Sequence, residues 1–498
     1  MSTMAKRFSL RTSVAAGGAV LVAAALSTAL AGRISPLCDD AFISLVYVKN
    51  LLAGQGLTFN GTLVQGYTNP LWVLLIAGLG RVGMALPAAC HLLTVASAVL
   101  ALGSTLLLAW RVGLSMFLGV FACFCLALSL DFVIYTGAGL ETLLFAGLLN
   151  LLALLCLAQA PGLRHALGVG AIAGLLALCR PEGLVAVLLA PAFLAHKRPR
   201  LAPLAWATGL LVAGPWFAWA HGYYGDWLPN SFYAKAAHLT PGQVIKGLHY
   251  LFPHSPSGVL FAVVGAVALL MTWRTRARAL ALLALAWVGY VAVVGGDWMP
   301  GWRVLLPVAG PALVALLAGA AASWLHRRPA AILPVALLVA LLAVRWGDPD
   351  THRTLSVVVH YRTVLTSLGQ WLGESVPPGT LIATNPAGFV PYYSGLPTID
   401  MLGINDPYIA RHPHIRRRLM IGHEIGNGPY VLARRPDLVI FGEAGRLLPF
   451  GFVSEAELWD MPAFRRQYSW RSIRLPGGEQ CILWVRRGSG LPPPLDVR

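Results

Sequence analysis

The 498-residue sequence contains little charge. Only 11% of its residues are Asp, Glu, Lys or Arg, whereas 57% are hydrophobic. Soluble globular proteins carry roughly 25% charged residues. A chain with so little charge cannot cover a surface that faces water, and this excludes a cytosolic enzyme and a disordered protein. The composition therefore predicts a protein of the lipid bilayer.

Paired cysteines and a glycine-rich nucleotide-binding loop are also missing. The seven cysteines are scattered, without a disulfide framework or metal-ligand spacing. His412, His414 and His423 lack the cysteine or carboxylate partners that a zinc site requires, so we expect no metal there. The net charge of +17 indicates basic cytoplasmic loops of a membrane protein rather than nucleic-acid binding.

Acidic residues are scarce in the apolar part of the chain. Residues 1–346 hold the long apolar runs, whereas residues 347–498 read as ordinary soluble sequence with 16 basic and 13 acidic residues. A carboxylate near lipid is costly unless it is paired or hydrated, so each acidic residue of the first part is a candidate for function. These residues are Asp39, Asp40, Asp131, Glu141, Glu182, Asp226 and Asp297.

Apolar runs predict about eleven transmembrane helices. The positive-inside rule puts the N-terminus inside and the seven carboxylates outside or at outer helix ends, with the residues after 346 also outside. The predicted spans lie near 13–32, 88–110, 114–130, 140–159, 166–180, 183–195, 203–221, 257–273, 279–296, 303–325 and 330–346.

Two alternatives concern this topology. A cleaved signal peptide is another interpretation of the first apolar run. The run 70–84 is too short to cross and contains Arg81, which favours an interfacial or re-entrant segment. A rival topology spans the membrane at 70–84 and fuses 166–195 into one helix. It places Arg111 and Arg164 on the outer side, which the positive-inside rule disfavours.

The predicted fold is an all-α polytopic membrane domain over residues 1–346, followed by a small extracytoplasmic α/β domain over residues 347–498. We expect it in a bacterial inner (plasma) membrane. In the second domain, strand-like runs lie at 381–384, 397–402, 438–441, 467–474 and 481–486, and helix-like runs at 352–373 and 428–434.

Adjacent carboxylates follow the first span directly. Asp39 and Asp40 precede a segment, 41–53, whose apolar spacing predicts a helix lying in the membrane interface. A carboxylate at a membrane surface can act as general base toward an attacking hydroxyl. One of the pair can instead cap the helix, and a pair can also hold a divalent cation such as Mg²⁺, Mn²⁺ or Ca²⁺. The residues alone leave these roles open.

The order of motifs resembles the GT-C superfamily of polyprenyl-phosphate-sugar glycosyltransferases, and within it the AftB-type terminal arabinofuranosyltransferase branch. The Asp pair is followed by a Gly-Tyr-Thr-Asn-Pro-Leu-Trp motif, which includes Tyr67. Further matching stretches are TGAGLET (136–142), CRPEG (179–183), YYGDWLPNSFYAK (223–235), GGDWMPGWRVLLP (295–307) and YYSGLPTIDMLGINDPYIAR (392–411). The resemblance implies a GT-C-like fold, with Asp39 and Asp40 as catalytic carboxylates.

Other site candidates come from these motifs. Lys235, Arg303 and Arg180 are cations that suit a donor phosphate. Candidate contacts to sugar or substrate are Asp226, Asp297, Glu182, Tyr67 and Trp298. Simpler interpretations are an aromatic membrane belt around Asp226, a lipid-headgroup contact for Arg303 and a neutralised Arg180–Glu182 pair.

We therefore expect a membrane glycosyltransferase with its active site at the outer leaflet. The resemblance implies D-arabinofuranose on a polyprenyl-phosphate donor and a cell-envelope glycan or protein acceptor. The alternatives are a lipid-linked-sugar flippase or transporter, and an inactive assembly protein whose C-terminal part binds a partner.

Overall fold

The computed structural model describes residues 10–235, 241–252, 265–273, 275–325, 332–416, 423–442 and 445–491. Regular secondary structure before residue 349 is helical in these ranges. The helices are α1 (Leu10–Ile34), α2 (Asp39–Leu52), α3 (Pro70–Arg81), α4 (Leu86–Arg111), α5 (Met116–Ala127), α6 (Leu130–Gly137), α7 (Thr142–Cys156), α8 (Leu163–Cys179), α9 (Gly183–Lys197), α10 (Ala202–Tyr224), α11 (Asn230–Lys235), α12 (Pro241–Leu251), the described part of α13 (265–272), α14 (Arg278–Val294), α15 (Ala309–Leu325) and α16 (Ile332–Trp346).

Several of these helices are built to cross a bilayer. Within the described ranges, four are long and apolar enough: Thr12–Ile34, Leu86–Arg111, Pro199–Tyr224 and Leu306–Ser323. Shorter apolar helices are Pro70–Arg81, Thr142–Cys156, Leu163–Cys179, Gly183–Lys197, Arg278–Val294 and Val335–Trp346. The protein is therefore a multi-pass membrane protein, but the predicted count of eleven spans is not confirmed.

Some of the predicted topology falls outside the described residues. The expected span 257–273 begins within 253–264, and the basic residues at 6, 7, 274, 327 and 328 also lie outside. The 70–84 run forms a helix of only 12 residues, α3, which is shorter than a membrane crossing requires.

The apolar run 114–130, predicted as a span, is broken near its end. Helices α5 and α6 meet there at a bend of 64°. Ser129 makes the break, because its side-chain oxygen accepts the Phe132 N–H and so begins a new helix. The bend turns α6 toward the segment that carries Asp297 and Arg303.

Helix α2 is buried, which differs from the interfacial helix predicted over 41–53. All residues from 41 to 48 are buried, together with Asn50. The apolar spacing correctly indicated a helix, but the C-terminal region packs over the face expected to meet lipid headgroups. Phe42, for example, stacks on Phe389 with ring centroids 4.2 Å apart.

The C-terminal region has the predicted elements. Its helices are α17 (Pro349–Ser375), α18 (Phe389–Ser394), α19 (Pro407–Arg411), α20 (Gly428–Ala433), α21 (Val453–Asp460) and α22 (Pro462–Gln467). Its strands are β1 (Ile382–Thr384), β2 (Thr398–Asp400), β3 (His414–Ile415), β4 (Ile425–Gly426), β5 (Leu438–Val439), β6 (Tyr468–Arg474) and β7 (Gln480–Arg486).

Five of the strands form one mixed sheet in the order β2-β1-β5-β7-β6. Strand β1 runs parallel to β2 and β5, whereas β7 runs antiparallel to β5 and β6. The chain leaves β1 through the turn at residues 385–388 and enters α18, the helix that lies on α2. The sheet thus presents the end of β1 to residues 35–69, the segment between α1 and α3 that is predicted to lie outside and that we call the first outer loop.

A buried carboxylate organises the turn after β2. Asp400 is fully buried and accepts hydrogen bonds from the backbone N–H groups of Leu402 and Asn405 and from the Asn405 side chain. The Asn405 amide oxygen in turn accepts the Tyr47 hydroxyl of α2 at 2.9 Å. Desolvation raises the pKa of Asp400 to about 6, because burial disfavours the charged form more than these donors favour it.

The raised pKa of Asp400 predicts a pH-dependent stability. The folded state binds the proton more tightly than the unfolded state, so this contribution is complete below pH 3.8 and is lost as pH rises through about 6. Between these limits the free energy of unfolding should fall by roughly 3 kcal/mol. Unfolding of wild type and Asp400→Asn in detergent between pH 4 and pH 7.5 measures the difference.

Asp460→Asn is the matched control, because this carboxylate is exposed. As pH rises, wild type should lose stability relative to Asp400→Asn. The Asp460→Asn control should lose stability in parallel with wild type. A gap that is constant with pH would contradict the assignment.

Candidate functional site

The two adjacent carboxylates have different surroundings. Asp39 lies in the first turn of α2 and binds the C-terminal region with both oxygens. Its Oδ2 accepts the Gly388 N–H at 3.0 Å, and its Oδ1 accepts the Phe389 N–H at 2.8 Å. Asp39 therefore joins the first outer loop to the start of α18 rather than facing an open space.

Asp40 faces a buried cation instead. Its Oδ2 lies 3.9 Å from Nη1 of Arg303, and its side chain is 27% exposed. Among the described residues, no hydrogen bond to the Asp40 carboxylate is found. Asp40 therefore has acceptor capacity available to an incoming hydroxyl, as a general base requires.

Arg303 is held by the loop that precedes it. Its Nε pairs with Oδ2 of Asp297 at 2.5 Å, and its Nη1 contacts the Met299 sulfur at 2.9 Å. The side chains of Arg303 and Asp297 are 15% and 9% exposed. A guanidinium this far from water interacts strongly with nearby charge.

A second buried cation lies at the break between α8 and α9. Arg180 pairs with Glu182 at 2.6 Å and with Glu141 at 3.3 Å. Glu141 also accepts the Asn69 side-chain amide at 2.7 Å. The predicted Arg180–Glu182 pair is thus part of a network that also includes Glu141 and Asn69.

An apolar cavity opens beside this network. It has a volume of about 350 Å³ and lies between α7, α9 and α14, with Glu182 and Tyr290 at its polar end. The rest of its lining is almost entirely apolar and includes Leu149, Ala186 and Trp287. Such a cavity suits a hydrocarbon chain whose polar end reaches Arg180.

Asp226 and Lys235 lie away from these contacts. Asp226 pairs with Arg411 of α19 at 2.5 Å, and the Arg411 guanidinium lies over the Tyr233 ring at 4.6 Å. Lys235 is exposed at the end of α11. The Asp226 pair joins the loop after α10 to the C-terminal region, and a role in sugar binding stays a prediction.

The two aromatic candidates, Tyr67 and Trp298, contact other aromatic side chains. Tyr67 is buried, and its hydroxyl shares a hydrogen bond with that of Tyr224 at 3.1 Å. Trp298 packs edge-on against His423, with ring centroids 4.9 Å apart. The structure therefore brings Asp40 and Asp297 to Arg303 and pairs Glu182 with Arg180, but it gives Tyr67 and Trp298 packing partners of their own.

Sequence reasoning missed Asn69 and Tyr290. Asn69 accepts the Ser44 hydroxyl of α2 at 3.4 Å while it donates to Glu141, so it links the first outer loop to the Arg180 network. Its position before Pro70 in the Tyr-Thr-Asn-Pro motif was a usable signal. Tyr290 lies in an apolar helix, and no sequence motif around it indicated a role in the site.

The Asp pair does not fit a divalent cation. Both Asp39 oxygens accept backbone N–H groups, which leaves Asp40 as the carboxylate with capacity for a ligand. Within the part of the chain that the structure describes, no group of three or more His, Cys, Asp or Glu side chains is arranged to hold a metal ion. We therefore derive no step through a metal.

Asp131 belongs to a separate buried cluster. Its carboxylate accepts from Arg345 at 2.6 Å and from the Trp302 N–H at 3.0 Å. The Arg345 guanidinium also pairs with Asp348 at 2.7 Å. Because Trp302 precedes Arg303, this cluster anchors the loop that carries the buried cation.

Comparisons with known proteins agree with this architecture. A family model described as "Domain of unknown function (DUF8728)" matches residues 356–482. A terminal beta-(1->2)-arabinofuranosyltransferase of Corynebacterium glutamicum is 29% identical over 327 residues, which cover 55% of this chain. The match covers 46% of that relative, so the chain spans about half the length of the relative.

Two solved structures share the fold. ArnT from Cupriavidus metallidurans, bound to undecaprenyl phosphate, matches with a TM-score of 0.52 and 16% identity over 78% of this chain and 85% of its own. The Archaeoglobus fulgidus oligosaccharyltransferase, in complex with Zn and sulfate, matches with a TM-score of 0.57 and 15% identity over 94% of this chain and 73% of its own. The chain thus shares its fold with these two structures and, over 55% of its length, is similar in sequence to an arabinofuranosyltransferase.

Proposed function

We propose that this protein is a membrane glycosyltransferase that moves a sugar, D-arabinofuranose, from a polyprenyl-phosphate donor to a cell-envelope glycan or glycoprotein at the outer leaflet of the plasma membrane. The observation that carries the proposal is Asp40, a partly exposed carboxylate opposite the buried Arg303. The similarity to an arabinofuranosyltransferase supports the choice of sugar.

In the proposed reaction, Asp40 accepts the proton of an acceptor hydroxyl. The hydroxyl oxygen forms a bond to the anomeric carbon of the sugar as the bond from that carbon to the phosphate oxygen breaks. Polyprenyl phosphate leaves with the bonding electrons. General base catalysis of this kind contributes roughly 10²–10⁴ in rate.

Arg303 and Arg180 are the proposed partners of the phosphate. Fixed cations with little access to water stabilise a departing anion more than mobile ions do. Four carboxylates surround these two arginines, so the cluster carries excess negative charge. They are Asp40, Asp297, Glu141 and Glu182. A role for the exposed Lys235 at the donor phosphate stays a prediction.

The apolar cavity beside Arg180 is the proposed site of the polyprenyl chain. Its lining offers hydrocarbon contact along α9 and α14, and its polar end lies at Glu182. Burial of isoprenoid carbon there would hold the phosphate at the level of the two arginines. Transfer from such a donor needs no nucleotide-binding loop.

Asp40→Asn should lower transfer by about 10²–10⁴-fold, because the amide cannot accept the acceptor proton. The donor KM should not rise, since the change removes a negative charge near the phosphate. Purified protein, polyprenyl-phosphate-arabinofuranose and candidate acceptors, followed by mass analysis of the products, measure this effect.

Asp350→Asn is the control for that experiment. The Asp350 side chain is 84% exposed and only 3.9 Å from Arg353, so its variant should transfer within about threefold of wild type. Transfer at the wild-type rate by Asp40→Asn would exclude Asp40 as the base. Lipid-sugar translocation in vesicles without product would favour the transporter alternative.

Ala186→Phe should raise the KM for the polyprenyl donor about tenfold or more, because the ring would fill part of the cavity. The effect should be smaller for a donor with a short lipid chain. Leu188→Phe is the matched control, since Leu188 lies on the same helix, is 65% exposed and does not line the cavity. Equal donor KM values in the two variants would contradict this lipid site.

A further inference from the structure

The contact between the first outer loop and the C-terminal region is unusually direct. Asp39 accepts one backbone N–H with each carboxylate oxygen, from Gly388 and from Phe389. The backbones also touch: a Cβ on Gly388 would come within 1.9 Å of the Asp39 carbonyl oxygen. Only glycine permits this approach.

The same contact continues along α2. The Phe42 ring packs against three aromatic rings of α18. The distances between ring centroids are 4.2 Å to Phe389, 5.1 Å to Tyr392 and 5.6 Å to Tyr393. Lys49, at the other end of α2, donates to the Tyr392 carbonyl at 2.7 Å. Helix α2 is therefore fixed against α18 at its first turn and near its end.

Asp40 directly follows Asp39, so the position of its carboxylate depends on where the first turn of α2 is held. The Asp40–Arg303 separation of 3.9 Å leaves no tight contact to fix Asp40 by itself. The orientation of the proposed base is thus set by the residue before it and by a segment 349 residues away in the chain.

We propose that Asp39 is a positioning residue rather than a second catalytic carboxylate. By binding the N–H groups of Gly388 and Phe389, it uses the C-terminal region as a fixed support for Asp40. This inference rests on the proposed function. It gives the C-terminal region a part in catalysis that requires no contact with donor or acceptor.

The inference predicts that two chemically unrelated variants have the same effect. Asp39→Asn replaces one acceptor oxygen with an amide that opposes an N–H donor. Gly388→Ala leaves every carboxylate intact but forces α18 away from α2. Each should lower kcat by about tenfold to a hundredfold, the size expected for a displacement of about 1 Å.

Steady-state kinetics separate positioning from catalysis. Both variants should keep the donor KM within about threefold and retain the acid limb of the pH profile, because Asp40 remains the base. Hydrogen exchange at 388–394 should become faster in both. Gly347→Ala is the matched control, since a Cβ there meets nothing closer than 3.5 Å.

Two results would overturn the inference. One is a Gly388→Ala enzyme with wild-type kcat beside an Asp39→Asn enzyme that has lost more than a thousandfold, which would make Asp39 catalytic. The other is near-normal kcat in Asp39→Asn. If Gly388→Ala does not fold, Phe42→Leu loosens the same contact and is judged by the same criteria.

Asp40→Asn, measured in parallel, separates this inference from the proposed function. Wild-type transfer by Asp40→Asn removes the proposed base. An inactive Asp40→Asn enzyme, together with unlike behaviour of Asp39→Asn and Gly388→Ala, removes only the positioning role.

Discussion

Among the described residues, three arginines with little access to water, Arg180, Arg303 and Arg345, are each neutralised by nearby carboxylates, and the architecture depends on that constraint. Arg180 joins Glu141 and Glu182, Arg303 joins Asp297, and Arg345 joins Asp131 and Asp348. An unpaired charge in such surroundings costs several kcal/mol. The few acidic residues of an apolar sequence therefore fix which helix ends meet, and they draw the polar groups of the site together.

The positions of the elements were largely readable from the sequence, because they follow from local patterns. The short helix α3, the break between α8 and α9 and the five strands of the main sheet all lie where apolar runs and turn residues predicted them. The bend at Ser129 was missed, since the apolar run continues through it. A single serine, which caps the start of α6, causes the break. The burial of α2 was missed because it depends on a segment that begins more than three hundred residues later.

The site was predictable in kind but not in detail. Scarcity of charge indicated Asp40 and Glu182 as candidates and the motifs indicated Arg303 and Arg180; the structure places Asp40 3.9 Å from Arg303 and pairs Glu182 with Arg180. The separate roles of Asp39 and Asp40 were not readable, because adjacent identical residues carry the same local signal. Only the partners distinguish them: two backbone N–H groups for Asp39, and an arginine for Asp40. The pairing of Asp226 with Arg411, 185 residues apart, was likewise beyond any local pattern.

The contact between α2 and α18 also bears on how the protein is made. Residue 39 is translated before residue 388, so the first loop stays without its support until the 349 residues up to Gly388 have been made. Contacts between such distant residues form late in folding, after the chain between them has been ordered. A nascent or truncated chain would carry the membrane helices and both acidic side chains yet lack the arrangement that aligns them. The support that is proposed to align Asp40 is therefore complete only after residues 388 and 389 have been made.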